Sequence, residues 1–312
     1  MAIQPSSESV GTKSTWPDLL NKSIDVMWMR RNEVEGNVLG QFFEVIPVEG
    51  GLTHVITSVS SVLPLPIENE DTEALPYHLP SPGDKKTFTA VNYRSGIRVT
   101  DTMIKVDRFA KIQGMCQGLL NSAMQKDEYM RAAILNNAFT GDNGSDSKDL
   151  CDDDHPHERK DNTAVTTWDN KSTGAMTGNN LHALRLLSRK MTNEAGDPMP
   201  ITCKMLVIPE DLEQTAHELI DSNLKPEGAL NTTNWGLNFG VTVSPYLSSA
   251  TQYYLFGSLT GEAKGLVEIE VDPWDIGDNA PANRHIVIDK SIKSIRTVGF
   301  TKSKNIFGST GA

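Results

Sequence analysis

The chain has 312 residues, 38% of them hydrophobic and 22% charged, with a formal net charge of −11. That length holds one large core or two or three smaller ones. The acidic balance argues against gripping nucleic acid by phosphate neutralisation. No run reaches the roughly 18 apolar residues of a membrane span. The opening residues show no basic-then-apolar leader, which predicts a product made or assembled in the cytosol.

In chain order, residues 1–50 start polar and become mixed. Trp16-Pro17-Asp18-Leu19-Leu20 has proline where a first helical turn accepts it. Ile24, Met27, Trp28 and Val34 give weak helical spacing, too sparse to fold alone. The expectation is an arm that packs on something else, its first dozen residues reading equally as a disordered tail. Residues 51–100 read as β structure. His54 to Val62 is rich in β-branched residues, and Lys86 to Tyr93 alternates with period two and continues through Gly96 to Thr100. Between them lies a proline-punctuated acidic stretch with Pro64, Pro66, Pro76, Pro80, Pro82, Glu68, Glu70, Asp71 and Glu73. This predicts an extended hairpin whose prolines discourage uncontrolled edge pairing. Lys85 and Lys86 are expected at its turn.

A helical pattern then runs from Asp107 to Phe139, with Phe109, Ile112, Met115 or Cys116, Leu119, Ala123, Met130, Ile134 and Ala138 recurring close to spacings of three and four or their sum. A helix of about 30 residues spans about 45 Å. Gly114 and Gly118 lower its stability unless something packs closely against them. Gly141-Asp142-Asn143-Gly144 ends it. Residues 141–180 are polar and turn-rich. Leu181 to Met191 is an amphipathic helix, Lys204 to Ile208 a short apolar strand, and Pro209-Glu210-Asp211 opens a helix reaching about Ile220. Strands are expected at Val241–Val243, Gln252–Gly257, Leu266–Val271, His285–Ile288 and Ile292–Phe300.

Chemistry-bearing residues cluster at one place, Cys151-Asp152-Asp153-Asp154-His155-Pro156-His157-Glu158. Asp152, Asp154, His155 and His157 are the right types for a divalent metal and a metal-dependent hydrolase. The spacing fits no HExxH or EF-hand pattern, and a solvated turn accounts for it as well. Neither a GxSxG elbow nor a phosphate-binding glycine loop is present, so no catalytic residue, cofactor or metal is assigned. Cys116, Cys151 and Cys203 are too few and too widely spaced for a disulfide framework. They are expected to be small buried side chains.

The order of these parts resembles the major capsid proteins of tailed bacteriophages, the HK97 fold, and within it the Mu-like major head subunits. Three stretches carry the likeness. Ala132 to Phe139 followed by Asp149-Leu150-Cys151-Asp152-Asp153-Asp154-His155-Pro156 is similar to the family's helix end and "HP" loop. Cys203 to Ala216 is similar to its strand-to-helix junction. Val243-Ser244-Pro245-Tyr246-Leu247 with Gln252 to Phe256 is the third. The resemblance implies an α+β HK97-like fold with an N-terminal arm (1–50), an extended hairpin or E-loop with adjoining strand (51–100), a P-domain spine helix and loop (101–176), an axial A-domain (177–265) and returning strands (266–312).

It also implies a non-enzymatic structural subunit that assembles with copies of itself, as pentamers and hexamers, into an icosahedral head around double-stranded DNA. A portal protein, a separate scaffolding protein and decoration proteins are the further partners, and the virion capsid is the location. An encapsulin-like nanocompartment shell is the alternative. Trp16, Trp28, Arg30, Arg31, Pro76, Tyr77, Lys85 and Lys86 are the candidate contacts between subunits.

Overall fold

The computed structural model describes residues 37–59, 82–100, 102, 109–141, 144–156, 167–192, 198–222, 239–257, 265–278 and 286–312. Of the expected contact residues, Trp16, Trp28, Arg30, Arg31, Pro76 and Tyr77 lie outside them, as does His157. The chain forms two compact units. One holds Val91–Asp127 and Val271–Arg296; the other holds Val38–Ala90, Glu128–Glu270 and Thr297–Ala312.

The larger unit is built on a five-stranded sheet. Its strands are β7 (Lys171–Ser172), β8 (Met205–Ile208), β9 (Gly240–Val243), β10 (Tyr253–Phe256) and β13 (Ile306–Ser309), in the order β7-β13-β10-β8-β9. β10 pairs antiparallel with β13 and with β8, while β8–β9 and β13–β7 are parallel. All four residues of β10 are buried. The alternation of a strand explains how: Tyr254 and Phe256 enter one core and Tyr253 and Leu255 the other. The first core also takes Leu39, Phe42 and Phe43, with Ala132 and Leu135 from the end of α1 (Phe109–Asn136) and Ala138 from the turn after it. The second takes Leu181 and Leu184 from α2 (Gly178–Arg189) and Ala216 and Leu219 from α3 (Glu213–Ile220). Thr177 caps α2 by accepting from the Asn180 amide at 3.2 Å. A 3₁₀ turn, Glu210–Leu212, leads into α3 and brings its acids to the positive helix end.

The same unit carries β1 (Phe43–Pro47), parallel to the first residues of β11 (Leu266–Asp278). It also carries the two-stranded sheet of β2 (Thr53–Val59) and β3 (Pro82–Thr89). Residues 43–47, within the segment read as an arm, form β1. The expected hairpin pairing is present, but its second strand stops at Ala90. The residues beyond form β4 (Val91–Thr100), which pairs instead with β12 (Ile286–Phe300). β12 is one strand where two runs were expected, with an irregularity in pairing between Ile286 and Ile288.

In the smaller unit, β4, β11 and β12 pack Tyr93, Ile97, Trp274, Ile276 and Ile292 against Leu119, Leu120 and Ala123 of α1. Asp127 accepts from Trp274 Nε1 at 2.9 Å and pairs with Arg296 at 3.2 Å. The Arg296 guanidinium lies 5.1 Å from the Trp274 ring, so this buried cation has both a carboxylate and an aromatic face beside it. The helix is 28 residues long, about 42 Å at 1.5 Å per residue. A methyl group placed on Gly114 or Gly118 would meet nothing within 4 Å. Among the described residues, none supplies the close packing that would offset their helix cost.

Candidate functional site

Three assemblies of residues position the surfaces of this subunit, and none resembles a catalytic centre. The first is the hairpin base. In β2 and β3 exposure alternates: His54, Ile56, Lys86 and Phe88 turn inward, and Thr53, Val55, Thr57, Lys85, Thr87 and Thr89 turn outward. The inward Phe88 and Ile56 pack with Val267, Ile269, Ile46 and Val48. Gly299 makes this possible, because any Cβ there would lie 2.5 Å from the Phe88 ring.

Lys86 follows the same inward direction. Its ammonium sits 4.0 Å from the Phe300 ring centroid and 5.5 Å from that of Phe88, a desolvated cation–π contact worth about 2 kcal/mol. Lys85 and Lys86 are therefore mid-strand, opposite Thr57 and Ile56, and not at a turn. Sequence reading placed them at a turn because the glycine and prolines before them signal one; period two decides their fate. Val55 and Leu52 remain 58% and 52% exposed, unusual for large aliphatics at the base of a lone two-stranded sheet.

The second assembly follows α1. His155 was expected on a solvated turn or as a metal ligand; it is fully buried. Its ring stacks on Trp168 at 4.2 Å and 11°, held there by the two-residue pairing of β5 (His155–Pro156) with β6 (Thr167–Trp168). Nδ1 lies 2.7 Å from Asp146 Oδ2, a carboxylate oxygen, so Nδ1 donates to it. Among the described residues no group of three His, Cys, Asp or Glu side chains could hold a metal ion. Asp153 and Asp154 are exposed, whereas Asp152 is half-buried. Its partial burial opposes ionisation, but hydrogen bonds from Asp153 and Asp154, with Lys148 nearby, hold its carboxyl below the usual value.

Beside it Asn170, also fully buried, is saturated. Its amide donates to the Leu150 and Ile306 carbonyls at 2.9 Å and lies 3.3 Å from that of Ser303. Its oxygen accepts from the Asp152 amide at 2.9 Å. The loop that reads as metal-binding is a structural knot tying the end of α1 to β13. Sequence gave no signal for Asn170, since a lone Asn between Asp and Lys reads as a turn.

The third is a buried ion triad. Arg131 donates to Glu128 Oε1 at 2.9 Å and to Glu268 Oε2 at 2.7 Å, while Glu128 Oε2 accepts from the Leu39 amide at 3.0 Å. Cys151 and Cys203 are buried free thiols, as expected, and burial pushes both pKa values up. The Cys116 side chain lies outside the described set. No helix among the described residues is long and apolar enough to cross a membrane.

A long helix, a paired-strand hairpin base and a helix-flanked sheet define a subunit of the HK97-like capsid fold. Solved structures agree. The capsid of Cyanophage P-SCSP1u matches with a TM-score of 0.54 at 10% identity, over 86% of this chain and 86% of that one. The mature capsid of bacteriophage PhiM1 matches at 0.53 and 13%, over 99% and 91%. The SrpI encapsulin complex from Synechococcus elongatus PCC 7942 matches at 0.52 and 10%, over 88% and 86%. No curated protein matches. A family model described as phage capsid protein matches residues 84–283, and the chain belongs to that family: it is a major capsid protein of the virion shell.

Proposed function

We propose that copies of this chain assemble, as pentamers and hexamers, into the icosahedral head that encloses the double-stranded DNA of a tailed phage. The observation that carries the reading is the hairpin base. Its inner face is fastened to its own subunit by Phe88 and Lys86, and its outer face exposes Val55 and a row of threonines. A two-stranded sheet is marginal alone in water, and a neighbouring copy that covers it recovers roughly 25 cal/mol per Å² of apolar area. Heterologous contacts of this kind close into rings and shells.

In this reading residues 51–100 reach a neighbour, residues 101–176 form the P-domain of spine helix and following loop, and residues 177–265 meet at the symmetry axes. Trp16, Trp28, Arg30, Arg31, Pro76, Tyr77 and the exposed Lys85 contribute to contacts between copies; Lys86 serves its own subunit. A portal protein, a separate scaffolding protein and decoration proteins are the partners, and the packaged DNA is held without sequence readout. Membership of the Mu-like branch rests on the three sequence stretches above. The reading includes no enzymatic activity.

Negative-stain microscopy of the purified chain tests it: closed shells, rings or tubes are expected. Replacing residues 62–79 by a short Gly-Ser turn is expected to leave a folded, soluble subunit that forms none. A chain that stays monomeric at every concentration and salt, alone and with its neighbouring gene products, refutes the reading. The second reading, a nanocompartment, is supported by the encapsulin likeness; particles from infected cells filled with a protein cargo instead of DNA would favour it.

A further inference from the structure

A cleft of about 370 Å³, partly open to solvent, lies within the larger unit where three segments meet. β3 brings Asp84 to it, the β5–β6 pair brings Trp168, and the end of β12 brings Phe300 as an apolar wall, with Lys302 and Lys304 just beyond. Trp168 is 8% exposed, yet its Nε1 N–H is buried with no hydrogen-bond partner. A buried donor left unpaired is costly, so the indole calls for an acceptor from the cleft it lines. The ring is held in place for one: it stacks on His155 at 4.2 Å, and His155 is fixed in turn by Asp146.

The charges around the cleft are mixed but not equivalent. Asp146 also lines it, but both its oxygens are engaged, Oδ2 by His155 Nδ1 at 2.7 Å and Oδ1 by the Lys148 amide at 3.2 Å. Lys302 is exposed and Lys304 half-buried, and among the described residues neither makes an ion pair. A third cation, Lys86, lies 4.0 Å from the centroid of the Phe300 wall. Donors and cations prevail, with the Asp84 carboxylate standing among them.

A ligand that suits this set is an oxyanion that also carries a proton. Its oxygens accept from Trp168 Nε1 and pair with the two ammonium groups, while its own O–H donates to Asp84. Inorganic phosphate keeps at least one proton at neutral pH and meets both demands. Sulfate and the phosphodiester of nucleic acid keep none, and would set a bare oxygen against the carboxylate. A divalent cation is the poorer occupant. It offers the indole no acceptor, and among the described residues no group of three His, Cys, Asp or Glu side chains could hold one.

We propose that this cleft binds inorganic phosphate, with Trp168, Lys302 and Lys304 as donors and Asp84 as the acceptor that selects the protonated ion. Bound there, the ion joins β3, at the hairpin base, to β6 and to the end of β12. The proposal stands apart from the shell reading and survives its failure.

Isothermal titration calorimetry of the full chain, in phosphate-free buffer, tests it with inorganic phosphate, with sulfate and with a short DNA duplex whose ends are unphosphorylated. Saturable one-to-one phosphate binding is expected, with sulfate and the duplex at least about tenfold weaker. Lys302→Ala with Lys304→Ala is expected to weaken phosphate binding about tenfold or more. Trp168→Phe keeps a ring against His155 without the N–H and is expected to weaken it about three- to tenfold. Asp84→Asn is expected to bring sulfate to within about threefold of phosphate, because an amide can donate to a bare oxygen. Circular dichroism of each variant is expected to match wild type; if Trp168→Phe does not fold, the lysine and Asp84 variants still decide. Absence of saturable phosphate binding up to about 10 mM overturns the proposal. So does equal affinity of the wild-type chain for sulfate. Affinity unchanged by the paired lysine substitutions places the phosphate elsewhere and overturns it too, and tighter binding of the duplex assigns the cleft to nucleic acid with the same consequence.

Discussion

Removing the guanidinium of the buried triad is the sharpest test of how this subunit is held together. Arg131 is 7% exposed and Glu128 and Glu268 are 1% exposed. Arg131→Met keeps most of the side-chain volume but removes the cation that two buried carboxylates share, Glu128 still accepting from the Leu39 amide. Leaving buried charge without its partner costs about 3–5 kcal/mol. At about 2–4 °C per kcal/mol for a large domain, the melting temperature is expected to fall by about 6–20 °C. Adding Glu128→Gln and Glu268→Gln removes the stranded charges, keeps an acceptor for Leu39, and is expected to recover most of the loss.

Thermal melts followed by circular dichroism, on the dissociated subunit, measure both changes. A single variant that melts with wild type, or a triple variant worse than the single, refutes the account.

Lys86→Ala is expected to destabilise the hairpin base by about 2 kcal/mol through loss of its aromatic contacts, while Lys85→Ala leaves it within about 0.5 kcal/mol; amide hydrogen exchange across β2 and β3 separates them. Gly118→Ala is expected to stabilise the isolated subunit by about 0.8–1 kcal/mol, since the added methyl meets open space and helix propensity improves, and a destabilised melt contradicts the open surroundings. In a Cys116→Ser background, Cys151 and Cys203 are expected to resist a thiol-specific reagent at pH 8 until denaturant is added, because burial keeps both thiols protonated and inaccessible.

Much of the architecture was legible because it rests on periodicity. The spacing of Leu119, Ala123, Ile134 and Ala138 gave the long helix, and Leu206 to Ile208 followed by Pro209 gave a strand and its helix. What escaped notice was short or decided at a distance. β13 is four residues whose partners, Tyr253 to Phe256, lie some fifty positions earlier. Phe43 to Pro47 became a strand only because β11 offers an edge to it. The break at Ala90 separates two strands of uninterrupted β pattern that join different sheets. His155 misled most: its acidic neighbours suggested solvent or metal, and burial came from Trp168, thirteen residues on, and from Asp146. Local composition carries no record of such a partner.

The placement of β13 also sets an order of events during synthesis. β8, β9 and β10 leave the ribosome well before Ile306 does, and until then β10 has a bare edge where β13 will dock. A fragment released early keeps that edge and lacks the Ile306 and Phe307 side chains that both cores require. A chain stopped before Ile306 is therefore expected to leave both cores unfilled and β10 paired on one side only.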